Sequence, residues 1–353
     1  MPWKIDDLDT PSVLIDLDRA EANLRRAQDY ADAHGLRLRP HIKTHKIPEF
    51  ARRQLELGAV GITCQKLGEA EVMADGGIRD ILLTYNLLGR AKLQRLVALA
   101  RRVRLSVTLD NAVVASELDA AMREAGQVLP VLIECDTGAE RCGVQTPEEA
   151  VELARLVAAL KGVRLEGLMT YPARGQTEVT AAWLGEAVAG LKAAGIEPAV
   201  VSTGGTPDLY RAHEVAVATE HRPGTYIYYD RDQARASLGL EACAMTILAT
   251  VVSRPTDGRA ILDAGSKTFS SDTVGLDGFG LITEYPQAVL AKFSEEHGHV
   301  DCSASNARPR IGERVTIIPN HACAVSNLHD VVYGVRGNRV ERVFKVEARG
   351  RVQ

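Results

Sequence analysis

Between residues 35 and 230 the chain alternates short β-branched runs with longer amphipathic stretches, eight times over. The strand-like runs fall at 37–44, 59–65, 80–86, 104–110, 128–136, 164–171, 198–203 and 215–219. Helical patterns lie between them, at 47–57, 67–74, 91–102, 112–125, 147–160 and 179–194. Thr146 followed by Pro147 reads as an N-cap and a first helical residue, since proline has no N–H to waste there. Strands separated by helices imply a parallel sheet. Eight such units in about 200 residues fit a closed (β/α)8 TIM-like barrel better than an open doubly wound sheet. The open sheet stays as the alternative, weakened by the lack of a G-x-G-x-x-G fingerprint after the early strands.

Past residue 236 the pattern changes. Runs at 241–262, 314–319, 330–334 and 339–346 are strand-like, with turn signals at Thr256-Asp257-Gly258 and Gly337-Asn338. Short strands and hairpins predict a compact, mainly β C-terminal domain. The expected division is a barrel over 12–235 and a β-rich domain made of 1–11 with 236–353. The run 12–17 is itself strand-like and can pair into that second domain. A chain of 353 residues has room for both.

Charge and composition work by exclusion. A net charge of -4 and a pI of about 6.2 leave no basic excess for nucleic acid or an anionic membrane. No run approaches the roughly 18 apolar residues of a membrane helix. The first seven residues lack a basic stretch leading into an apolar one, and the six cysteines show no C-x-x-C spacing. The expectation is a cytoplasmic protein whose cysteines are thiols or metal ligands.

In barrel enzymes chemistry sits where strands end and loops begin. The first run ends in Arg39-Pro40-His41-Ile42-Lys43-Thr44-His45-Lys46. Strand alternation, if it persists, puts His41, Lys43 and His45 on one face. Lysines held in dry surroundings lose their proton readily and form Schiff bases with carbonyl compounds. The alternative is a solvated basic loop. After the fifth run, residues 136–143 carry Arg141 in a turn-rich loop suited to an anionic oxygen.

After the seventh run comes Ser202-Thr203-Gly204-Gly205-Thr206-Pro207, and after the eighth Arg222-Pro223-Gly224-Thr225-Tyr226. Small residues let backbone N–H groups converge on a phosphate, and these two loops are its usual place in barrel enzymes. Late in the chain, Pro319-Asn320-His321-Ala322-Cys323 offers a ring nitrogen and a sulfur two residues apart, a pair suited to zinc. A buried cysteine beside a structural histidine is the alternative. Lys267 reads as an ion-pair former between domains rather than a catalytic group, and Asp301-Cys302 as structural.

Taken together these residues resemble the D-threonine aldolase and D-serine dehydratase family, relatives of the alanine racemase fold. The likeness spans nearly the whole chain: Asp9-Thr10-Pro11, Ile15-Asp16-Leu17, the octet 39–46, Gln65 with Glu69-Ala70-Glu71, 136–143, 202–206, 222–226, 263–267, Glu296-His297-Gly298, 319–323 and 327–330. It implies a barrel carrying pyridoxal 5'-phosphate, a C-terminal β domain and a homodimer. Lys43 would hold the cofactor covalently and act as base, with His41 and Tyr171 as further candidate catalytic residues. Gln65, Arg141, Tyr171, Ser202, Gly204, Gly205, Thr206, Gly224, Thr225 and Tyr226 would bind the cofactor. His321 and Cys323 would bind a divalent ion, zinc or else manganese or magnesium, gripping the hydroxyl and carboxylate of a β-hydroxy D-amino acid. Cleavage of Cα–Cβ would give glycine and an aldehyde; loss of the hydroxyl would give dehydration and then ammonia release.

One departure stands out. Where many relatives follow the sixth-strand tyrosine with histidine, this chain reads Tyr171-Pro172-Ala173-Arg174. An aldolase base would have to come from His41, His45, His297 or a metal-bound hydroxide. Two rivals share part of the pattern. An amino-acid racemase would use Lys43 but needs a second base and leaves His321 and Cys323 unexplained. A non-catalytic pyridoxal carrier would end near residue 230, over a hundred residues short of this chain.

Overall fold

The computed structural model describes residues 3–353. The chain forms two compact units. One comprises Arg26–Lys43, Pro48–Gly224 and Arg351–Gln353; the other comprises the N-terminal residues to Arg25, Thr44–Ile47 and Thr225–Gly350. Residues 12–25 and 225–235, grouped with the barrel on sequence, thus lie in the second unit.

Counting β1 as Ser12–Asp16, the first unit carries β2 (Arg37–Leu38), β3 (Ile62–Cys64), β4 (Asp80–Leu83), β5 (Arg104–Leu109), β6 (Leu129–Cys135), β7 (Val163–Thr170), β8 (Val200–Gly204) and β9 (Glu220–Arg222). They form one parallel sheet in the order β2-β9-β8-β7-β6-β5-β4-β3. The two end strands meet. Val60 N–H donates to the Leu38 carbonyl at 2.9 Å, Thr63 N–H to Pro40 at 2.7 Å and Ile42 N–H to Thr63 at 2.9 Å, closing the ring.

The middle strands are buried and apolar, as parallel strands covered on both faces must be: Val107, Leu109, Val131, Ile133 and Leu168 are fully buried. Helices follow the strands, and the expected cap is present, Thr146 Oγ1 accepting the Glu149 N–H at 3.2 Å with Pro147 at the first position.

Two strands differ from their expected positions. The eighth is Glu220–Arg222, not 215–219. Its charged residues are buried by bonding groups on neighbouring strands and turns, Glu220 to Arg39 and Ser202, His221 to Thr203, and Arg222 to Ser202, so hydropathy does not reveal it. The first stops at Leu38, with one isolated bridge at His41 beyond it.

In the second unit, β1 pairs antiparallel with β10 (Met245–Thr256) and parallel with β16 (Val331–Arg336). The rest of this mixed, mostly antiparallel sheet is β11 (Arg259–Leu262), β12 (Gly280–Ile282), β13 (Val289–Phe293), β14 (Gly298–Asp301), β15 (Arg314–Pro319) and β17 (Arg339–Lys345). Among the described residues no helix is long and apolar enough to cross a membrane.

Candidate active site

Past β2 the chain turns instead of continuing as a strand, so His41, Lys43 and His45 do not alternate along one face. His41 and His45 are buried and Lys43 is half-buried. Gln65 decides the state of His41. Its amide nitrogen donates to the Thr84 carbonyl at 2.7 Å, which turns the amide oxygen to His41 Nε2 at 3.1 Å. Nε2 therefore carries the ring proton, and Nδ1 accepts the Lys43 backbone N–H at 3.3 Å. Burial drives the His41 pKa well below its ordinary value, and the charges of Lys43, Arg222 and Arg141 push it the same way. His41 is a neutral ring with both nitrogens engaged. That suits it to holding Lys43, not to acting as a base.

Tyr171 follows β7, and its ring faces two cations. The Lys43 Nζ lies 5.6 Å from the ring centroid and the Arg141 Cζ 4.6 Å, within cation–π reach. Arg141 also pairs with buried Glu134 at 3.4 Å. Its loop is built by Asp136, whose Oδ1 accepts the N–H groups of Gly138, Ala139 and Glu140 at 3.0, 2.9 and 3.1 Å. Although burial opposes it, these bonds lower the carboxyl's pKa. Gly143 closes the loop at φ +121, where a Cβ would stand 2.5 Å from the Asp136 nitrogen. Only glycine fits there.

The turn Gly204–Gly205 ends β8. A Cβ on Gly204 would lie 2.9 Å from Arg222 Nη2, and Gly205 sits at φ +106. Gly224 N–H donates to Thr206 Oγ1 at 3.3 Å, joining this turn to the next. The segments that follow, Leu209–Glu214 and Thr225–Ile227, are 3-10 turns rather than α-helices. Tyr226 is buried.

Ser202 is not free for a phosphate: its hydroxyl donates to Glu220 at 2.6 Å and accepts Arg222 Nη1 at 2.7 Å. Two residues that the reading of motifs left without a role support the turns. Arg222 is buried behind them, donates Nη2 to the Thr170 carbonyl at 2.7 Å, and has its pKa lowered to about 10 by burial. His221 bonds the Gly205 carbonyl and the Thr203 hydroxyl, each at 2.9 Å. Their signal in the sequence was a charged triplet directly after the apolar run expected to be the strand. An amine beside an aromatic ring, a buried guanidinium and glycine turns that a Cβ would fill together suit a phosphorylated aromatic aldehyde.

In the second unit, His321 caps the helix Ala322–Leu328 on which Cys323 lies. The Ala322 N–H is held by buried Asp230 at 2.9 Å, and burial raises that carboxyl's pKa to about 6. His321 Nδ1 meets Asp272 Oδ2 at 2.6 Å, and its ring also hydrogen-bonds Cys323. Thr44 Oγ1, next in the chain after Lys43, lies 3.1 Å from Cys323 Sγ, and Thr225 Oγ1 lies 3.6 Å from it. Among the described residues no three His, Cys, Asp or Glu side chains gather as a metal site. The protein offers two donors, imidazole and thiol, which is a fit for an ion that keeps open positions. Lys267 pairs with Glu296 at 2.7 Å within this unit, both exposed, so it bridges no domains. His297 is exposed in the turn between β13 and β14.

Comparison with known proteins matches the alanine racemase N-terminal domain to residues 15–232 and a putative serine dehydratase domain to residues 244–335. The D-threonine aldolase of Arthrobacter sp is 37% identical, over 97% of this chain and 93% of that protein. The crystal structure of D-threonine aldolase from Filomicrobium marinum superposes with a TM-score of 0.94 at 36% identity, covering 100% of this chain and 98% of that one. The D-threo-3-hydroxyaspartate dehydratase of Delftia sp. HT23 gives a TM-score of 0.89 at 31% identity, over 97% and 98% of the two chains. A cysteine-to-alanine mutant of D-threo-3-hydroxyaspartate dehydratase is known in a metal-free form, with TM-score 0.88 at 31% identity over the same shares.

Proposed function

This chain belongs to the D-threonine aldolase and D-serine dehydratase family of pyridoxal-phosphate-dependent lyases, and we propose that it cleaves small β-hydroxy D-amino acids to glycine and an aldehyde. The observation that carries this reading is the His321–Cys323 pair backed by Asp272. A lysine beside an aromatic ring would serve a racemase equally well; an imidazole–thiol pair suits an ion that grips a substrate oxygen.

Bound pyridoxal phosphate supplies the electron sink for the bond broken at Cα, and a divalent ion on His321 and Cys323 supplies a Lewis acid for the β-oxygen. Lys43 Nζ would anchor the cofactor between turnovers and would return a proton to Cα of the product. His41 holds the backbone of Lys43 in place through its N–H. Arg141, stacked on Tyr171, offers its guanidinium to an anionic oxygen. The turns of Gly204, Gly205 and Thr206 and of Gly224, with Thr225 and Tyr226 next in the chain, would take the phosphate, with the charge of Arg222 behind them; the N–H groups of Gly205 and Gly224, bonded to the Arg222 carbonyl and Thr206 Oγ1, shape the turns. Gln65 and Ser202 act one step back, through His41 and Arg222.

Dehydration is the second reading, favoured by Cys323, since a thiolate donor suits zinc. Incubation with D-threonine and D-serine, with and without a chelator, separates the outcomes. Equal amounts of glycine and acetaldehyde from D-threonine are expected. Pyruvate from D-serine without glycine formation would replace the aldolase with a dehydratase, and exchange at Cα with no product would make the protein a racemase.

A further inference from the structure

We propose that Asp272 is the carboxylate that sets His321 for a divalent ion, an inference that rests on the reading of His321 and Cys323 as metal donors. Asp272 Oδ2 lies 2.6 Å from His321 Nδ1. With Nδ1 taken, Nε2 is the one ring nitrogen left to a metal. A carboxylate on Nδ1–H keeps the proton on that side, fixes the ring's rotation and makes Nε2 a better donor.

Beyond His321, the Asp272 side chain bonds only within its own loop. Its side chain is half-exposed, 48% by area. The loop that carries it is nonetheless held from several sides. Val274 N–H donates to Asp272 Oδ1 at 3.0 Å, which leaves Oδ2 for the histidine. Asn320, buried and directly preceding His321, reaches back to the same loop: its Nδ2 donates to the carbonyls of Thr273 at 3.3 Å and Gly278 at 2.9 Å. Arg231 Nη1 in turn donates to Asn320 Oδ1 at 3.0 Å and to the Asp277 carbonyl at 3.1 Å. The residue before the ligand thus clamps the loop that presents the ligand's carboxylate.

The loop also keeps two non-glycine residues in the left-handed region, Ser270 at φ 66 and β-branched Val274 at φ 47. Such conformations cost free energy and persist only where the surroundings impose them. Here they flank the aspartate on either side.

The test is zinc affinity of the cofactor-loaded protein, read by competition with a chromophoric chelator. Wild type, Asp272→Asn, Asp272→Ala and His321→Ala are compared. Wild type should take up one zinc per chain and His321→Ala should not. Asp272→Ala should bind on the order of 10- to 100-fold more weakly. Asp272→Asn should lose less, because its amide oxygen still accepts the Nδ1–H. Cofactor absorbance and melting temperature should match wild type in both Asp272 variants. Wild-type affinity in both overturns the role of Asp272 and leaves the metal donors standing. Equal losses in the two, together with a lowered melting temperature, also overturn it, since that is loop damage. Zinc uptake by His321→Ala equal to wild type removes the metal reading and this inference with it.

Discussion

In the barrel unit the candidate groups stand on strand ends and are bonded in series through buried or half-buried partners: Thr84 to Gln65 to His41 to Lys43, and Glu220 to Ser202 to Arg222. In the other unit His321 and Cys323 stand at the head of a seven-residue helix, faced by a half-exposed carboxylate on a loop with left-handed residues. Buried polar chains specify one geometry, because a half-satisfied chain is costly in a low dielectric. A pair of donors near solvent can be filled and emptied without unfolding anything. On this reading the geometry around Lys43 would be set by folding, whereas the donor pair would be completed by the ion it binds.

That contrast can be broken by experiment. The largest effect belongs to Lys43→Ala, which should abolish the absorbance of lysine-bound cofactor and lower turnover by about 10⁴-fold. His321→Ala should cost turnover on the order of 10³-fold, as loss of a Lewis acid does, while leaving the cofactor absorbance intact. If both variants lose the absorbance, the two sets of residues do not act independently and the contrast fails.

Glu220→Gln tests the foundation of the barrel half. It accepts Arg39 Nε at 2.7 Å and the Ser202 hydroxyl at 2.6 Å while nearly fully buried. Breaking a buried pair from one side should cost about 3 kcal/mol in urea unfolding. A loss under about 1 kcal/mol would mean that solvent reaches the pair.

An effect of at most the size expected for Glu220→Gln is a slope with pH. Burial holds the His221 pKa at about 4, against the opposing bond to the Gly205 carbonyl. The unfolded chain takes up this proton near pH 6.5, the folded chain only near 4. Stability from this group is fully present above about pH 6.5 and is lost as pH falls toward 4, by up to about 3 kcal/mol. His221→Asn should flatten that part of the curve; an unchanged slope would assign it elsewhere.

Much of the fold is legible in the sequence because apolar runs betray strands covered on both faces, and because Thr146-Pro147 is a cap with a mechanism. Glu220–Arg222 escapes for the opposite reason: its side chains are buried by bonding, which hydropathy scores as exposure. The octet around Lys43 marks the site, yet the alternation of His41 and His45 does not follow, since one turn after Leu38 ends the two-residue period. Gly204, Gly205 and Gly224 stand out as turn residues, whereas Ser202 faces Glu220, a placement only the strand pairing decides. Asp272 lies 49 residues from His321, and nothing local in the sequence joins them.

The covalent role of Lys43 is most directly tested by borohydride reduction of the cofactor-loaded protein followed by peptide mapping. The phosphopyridoxyl mass should sit on Lys43 alone. A label on Lys46 or Lys66, or no label at all, would contradict the account.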